Sequence, residues 1–175
     1  MPIRPHLILA GLLALAACNQ VAPARVEAPA DSAAGEVAFE LSGPGGAALT
    51  VPVHVNGRGP FRFILDTGAT LTCINRPLVD SLKLEEKPML GVGAGVGSSG
   101  QVRVVEVDSL RVGAARALDL AACEVDLAHA EKVGVEVDGL VGLNFLKAFR
   151  VTLDFDRKVV HLQDPDEKKE AAEEK

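Results

Sequence analysis

Asp66 is the residue best placed to do chemistry in this chain of 175 residues. It closes the apolar run Phe61, Arg62, Phe63, Ile64, Leu65 and opens a turn of small residues, Thr67, Gly68, Ala69 and Thr70. An acid delivered by a buried strand into a tight turn is partly desolvated yet reachable, and Gly68 lets a second backbone come close. One carboxylate alone is a poor hydrolytic catalyst. Two that share a proton are a good one. The ionised member takes a proton from water, the protonated member gives one to a carbonyl oxygen, and mutual repulsion keeps their protonation states apart. The chain holds a single Asp-Thr-Gly sequence and no Asp-Ser-Gly. A pair built from two such turns would need two copies of the chain, related by a twofold axis through the Asp66 turns.

The other candidate groups are weaker. Asp138 precedes Gly139 and reads as a turn residue, and Asp154 reads as the solvent side of an alternating strand. His54, His129 and His161 stand at no ligand spacing from Cys73 or Cys123, so neither zinc nor another metal is expected. Gly95, Gly97 and Gly100 match the glycine spacing of a dinucleotide loop, but the next segment, Val102 to Val107, alternates as a strand where that function needs a helix N-terminus. Ser98 and Ser99 lie in no strand-turn-helix elbow. No cofactor is implied.

The elements that must position Asp66 are short and β-rich. Val51, Val53 and Val55 alternate with Pro52, His54 and Asn56, and Asn56-Gly57 predicts a hairpin into the strand that ends at Leu65. Asn75, Arg76 and Pro77 predict a short helix through Leu82, with Asn75 as its cap. The glycine-rich stretch 91–100 predicts a hairpin tip before the strand Val102 to Val107. Further strands are expected at 109–113 and 117–127. Val137 to Val141 reads as a buried strand that passes through Gly142 into a helical turn, and 151–155 with 159–162 as a last hairpin. The sum is an all-β domain with one or two short helices.

Composition agrees with one globular domain: 48% of residues are hydrophobic, 24% are charged, and 17 Gly and 10 Pro supply turns. A net charge of -6 and 3% aromatic residues leave no cationic or stacking surface for nucleic acid. The chain opens with Arg4 and the 11-residue apolar run Leu7 to Ala17. A membrane span needs about 20 residues and a secretory signal about 7 to 15, so this is an export signal. Residues 1–17 are then removed, 18–35 form a flexible tether rich in Ala with Pro23 and Pro29, 36–163 form the domain, and 164–175 form a charged tail. Cys73 and Cys123 either bridge, closing a loop of about 50 residues worth about 4 kcal/mol in the chain-entropy model, or sit as two buried thiols.

These features carry two resemblances. Leu15-Ala16-Ala17-Cys18 resembles the bacterial lipobox, which implies that Cys18 is lipidated and holds the protein on a membrane. Asn19, in place of the Asp that retains lipoproteins in the inner membrane, implies a periplasm-facing position on the outer membrane. Ile64 to Ala69, the glycine-rich hairpin near 91–107 and Gly139 to Asn144 together resemble the single-domain, retroviral-type (retropepsin-like) aspartic proteases over roughly 48–163. That resemblance implies a closed β-barrel, a polypeptide substrate and a homodimer. It makes Asp66 catalytic, with Thr67, Gly68 and Ala69 supporting the active-site turn. It makes Gly93, Ala94, Gly95, Val96 and Gly97 the flap over the peptide, and Leu140, Val141 and Gly142 the strand behind the site. Retroviral relatives place an Asp where this chain has Thr70 and an Arg where it has Leu143, a pair that braces the dimer. Their joint absence implies a different brace. The same fold with one carboxylate, if monomeric, would instead hold an extended peptide without cutting it.

Overall fold

The computed structural model describes residues 24–27, 35–87 and 103–165. Eleven strands are described: β1 (Arg25–Glu27), β2 (Glu36–Ala38), β3 (Glu40–Ser42), β4 (Ala48–Val55), β5 (Arg58–Leu65), β6 (Cys73–Asn75), β7 (Val104–Val112), β8 (Ala115–Val125), β9 (Gly139–Val141), β10 (Arg150–Asp154) and β11 (Val159–Gln163). Three short helices accompany them, α1 (Arg76–Leu82), α2 (Ala128–Lys132) and α3 (Leu143–Leu146). None of these is long and apolar enough to cross a membrane.

The pairing β4-β5-β9-β6-β8-β7 returns to β4, where Val53, His54 and Val55 oppose Val112, Arg111 and Leu110. Six strands thus close into the expected barrel, in which each strand has a neighbour on both sides and β8 runs on past the three-residue β6. Val51, Val53 and Val55 point inward from β4 and are buried. The β4–β5 hairpin turns at Asn56 and Gly57, both at positive φ, the conformation that these residue types tolerate best. Its tip is tied to β7 by Asn56 N donating to the Ser109 carbonyl (2.8 Å) and by Ser109 N donating to Asn56 Oδ1 (3.0 Å). A second sheet, β10-β11-β2, lies against the barrel. Its Val37, Val160 and Leu162 belong to the same core as Phe63, Ile74, Leu110, Leu120 and Phe145, all buried.

Four details depart from the sequence reading. Val104–Val112 is one strand, followed by β8 at 115–125, because the inward alternation changes phase at Asp108 and Ser109 while the ladder runs on through Ser109 opposite Leu118. A third helix, α2, follows Asp126, whose Oδ1 accepts from Ala128 N at 2.9 Å. Asn75 makes no side-chain cap on α1; its Oδ1 accepts from Leu127 N at 3.2 Å. Within the stretch read as a tether, Arg25–Glu27 adds a strand to β8, with Val26 half-buried against the core. Backbone donors and acceptors on an open strand edge recruit such a segment whatever its side chains.

Candidate active site

The turn that carries Asp66 hangs from the parallel pair β5–β9. Phe63, Ile64 and Leu65 lie opposite Gly139, Leu140 and Val141, and Asp66 N extends the ladder by donating to the Val141 carbonyl at 3.0 Å. The close approach is built into β9. A Cβ on Gly139 would stand 2.4 Å from the Cys73 carbonyl oxygen and 2.5 Å from the Phe63 ring, so only glycine fits between β5 and β6. One position beyond the strand, a Cβ on Gly142 would stand 2.3 Å from the Leu71 carbonyl oxygen and 2.7 Å from Thr72 N. Leu140 is half-buried, while Val141 and Gly142 are buried directly behind the turn.

Asp66 itself is half-buried. Its Oδ1 accepts from Gly68 N at 2.8 Å, the one hydrogen bond to its carboxylate among the described residues. Oδ2 is left for a water or a second acid. Thr67, Gly68 and Thr70 are exposed, Ala69 is half-buried, and Leu143 beside them is 38% exposed. The Thr67 hydroxyl has no hydrogen-bond partner among the described residues. The acid therefore sits in a surface of small, uncharged side chains.

Beyond Ala69 the loop is laced to α3 and β8. Leu143 N donates to the Ala69 carbonyl (2.8 Å) and Asn144 N to the Thr70 carbonyl (3.1 Å). The Asn144 side chain then does what the sequence reading did not foresee. Its Oδ1 accepts from both Thr72 N (2.7 Å) and Thr72 Oγ1 (2.9 Å), and its Nδ2 donates to the Ala121 carbonyl (2.8 Å). Thr72, fully buried, accepts in turn from Gly142 N at 3.2 Å. A neutral carboxamide network thus fixes the loop where Thr70 and Leu143 supply no charged pair. The sequence signal was Asn144 itself, two residues after Gly142.

Cys73 and Cys123 are disulfide-bonded, with Cα atoms 4.4 Å apart across the parallel pair β6–β8. Asp138 does not face the site: its Oδ2 accepts from Arg62 N at 2.8 Å and its own N donates to the Arg62 carbonyl at 2.7 Å, so it locks the start of β9 to β5. Asp154 accepts from Arg157 N at 2.9 Å in the β10–β11 turn and is half-buried. Next to β6, Glu124 is nearly enclosed by two cations. Its Oε1 accepts from Arg76 Nε at 2.8 Å, and Arg103 Nη1 lies 2.8 Å from Oε2 in ion-pair contact without hydrogen-bond alignment. The hydrogen bond and charge of Glu124 raise the Arg76 pKa further above its ordinary value. No group of three or more His, Cys, Asp or Glu among the described residues could hold a metal ion. The flap residues Gly93, Ala94, Gly95, Val96 and Gly97 and the lipidation residue Cys18 lie outside the described residues.

This barrel, with an Asp-Thr-Gly turn hung from a glycine-bearing strand, agrees with the comparison against known families. The model of the aspartyl protease family matches residues 51–145, and the chain belongs to that family. Among solved structures, a retropepsin-like aspartic protease from Rickettsia conorii is similar at 15% identity and a TM-score of 0.49, over 79% of this chain and 93% of that one. The retroviral protease-like domain of Ddi1 from Leishmania major is similar at 18% identity and a TM-score of 0.44, over 66% and 87% respectively. No curated protein matches the chain.

Proposed function

We propose that the chain is an aspartic endopeptidase that works as a twofold dimer, with the two Asp66 carboxylates meeting on the axis. The observation that carries this reading is the half-buried Asp66, held by the backbone on one oxygen and left open on the other in an uncharged, exposed rim. Two like charges in contact cannot both ionise cheaply, so the pair holds one proton. The ionised Asp66 removes a proton from water as the water oxygen bonds to the peptide carbonyl carbon, and the other Asp66 protonates the carbonyl oxygen. Proton transfer to the amide nitrogen then breaks the C–N bond. The exposed Thr67 hydroxyl, with no partner among the described residues, supports the same assembly, since it would be available to brace the turn of a second copy. Membrane anchoring through Cys18, on the periplasmic face of the outer membrane, would confine copies to one surface and promote pairing.

The test is cleavage of an unfolded polypeptide at mildly acidic pH by the purified chain and by Asp66→Asn. The parent should cleave, lose specific activity on dilution, and sediment as a dimer; the variant should be inactive. Equal cleavage by both would refute the assignment. The single carboxylate per chain favours a second reading, a peptide-binding module that does not cut. A monomer that binds extended peptides at every concentration and never cleaves them would establish that one instead.

A further inference from the structure

The disulfide lies one residue from the network that fixes the catalytic loop. Thr72 is the shared member. Its side chain and N–H are held by Asn144, while its carbonyl oxygen accepts from Cys123 N at 2.8 Å. Cys73, the next residue, is bonded to that same Cys123. β6 is only three residues long and is wedged between β8 and β9, with Cys73 opposite both Cys123 and Leu140. The covalent bond therefore secures a strand whose ladder is too short to hold itself firmly. It also fixes the distance between β8, which supplies the Ala121 carbonyl to Asn144, and the chain that leaves the Asp66 turn. Of the two cysteines Cys73 is the more open, half-buried where Cys123 is 9% exposed.

We infer that the Cys73–Cys123 bond is a reducible site that controls the Asp66 loop, so that a dithiol lowers the activity of the enzyme without unfolding its barrel. A dithiol thiolate attacks the Cys73 sulfur, the S–S bond breaks, and Cys123 leaves as thiolate and takes a proton. The second thiol of the reductant then displaces Cys73 in the same way. The protein gains two electrons and two protons, and the reductant becomes a cyclic disulfide. With the tether gone, β6 separates from β8 at Thr72, and the Asn144 carboxamide can no longer hold Thr72 and Ala121 together. Misplacement of a catalytic group by about 1 Å costs on the order of a hundredfold in rate.

This rests on the reading of Asp66 as catalytic only for its activity readout. The experiment treats the full chain with dithiothreitol under native conditions and maps alkylation at Cys73 and Cys123. It then follows polypeptide cleavage, far-UV circular dichroism and amide hydrogen exchange across residues 66–72. Both cysteines should alkylate, the β signal should persist, exchange at Thr72 should rise about tenfold or more, and cleavage should fall by a similar factor. Reoxidation should restore both. The Cys73→Ala/Cys123→Ala variant should start at the low activity and ignore the reductant. Cysteines that stay unalkylated, a barrel that unfolds on reduction, or unchanged exchange at 66–72 after complete alkylation would each overturn the inference. If exchange rises but neither redox state cleaves, loop control stands and the protease reading fails.

Discussion

Asn144→Ala removes the carboxamide that joins the Asp66 loop to β8. Three hydrogen bonds vanish, from Thr72 N, from Thr72 Oγ1 and to the Ala121 carbonyl. Each is worth about 0.5–1.5 kcal/mol net, but Thr72 is fully buried, so its stranded N–H adds a desolvation cost. Asn144 is half-buried, which lets water recover part of that loss. The balance is about 2–4 kcal/mol of destabilisation. With a urea m-value of about 1–2 kcal/mol/M, the unfolding midpoint should fall by about 1–4 M with an unchanged slope. Asn144→Asp sharpens the test, because it keeps the acceptor for Thr72 and sets a carboxylate oxygen against the Ala121 carbonyl. Protonation relieves that repulsion by turning an acceptor into a donor. The introduced acid should therefore have a raised pKa in the folded state, with stability highest below about 4 and lost as pH rises through the folded-state value. An alanine variant within about 0.5 kcal/mol of the parent would refute the role assigned to this network.

Other substitutions test other parts of the fold. Gly142→Ala drives a Cβ into the backbone of Leu71 and Thr72, which cannot rotate away, so it should cost about 1–3 kcal/mol or more and lower soluble yield, as urea unfolding would report. Phe63→Ala empties a fully buried site under β9 and should cost about 3–5 kcal/mol by the same measurement. The His54 pKa is lowered, first by burial and then by the charge of Arg111. The fold therefore favours neutral His54, whose contribution is present above about pH 6.5 and lost as pH falls through the depressed folded-state value. His54→Gln should flatten that part of the stability profile in thermal melts, and an unchanged profile would show that other groups set it.

Local patterns made part of this protein legible. Asn56-Gly57 specified a hairpin because those two residue types accept positive φ, and the β4 alternation assigned its inward face to Val51, Val53 and Val55. Asp66 stood out for the same reason, since an acid between an apolar strand and Thr67-Gly68 is a local event. The β7 strand was read in pieces because its alternation shifts phase at Asp108, while its ladder is fixed by β8 and not by its own pattern.

What only the tertiary structure decided is which distant segments meet. Asn75 has the sequence context of a helix cap, yet its carboxamide binds Leu127, and Asn144 looks like an ordinary residue after Leu143 until Thr72 and Ala121 arrive beside it. Cys73 and Cys123 were open to pairing or to burial as thiols, and the parallel register of β6 and β8 made them neighbours. The periodicity of side chains along one segment encodes its buried face and its turns, because those depend on neighbours a few residues away. Partners separated by tens of residues are set by closure of the barrel, a property of all six strands at once.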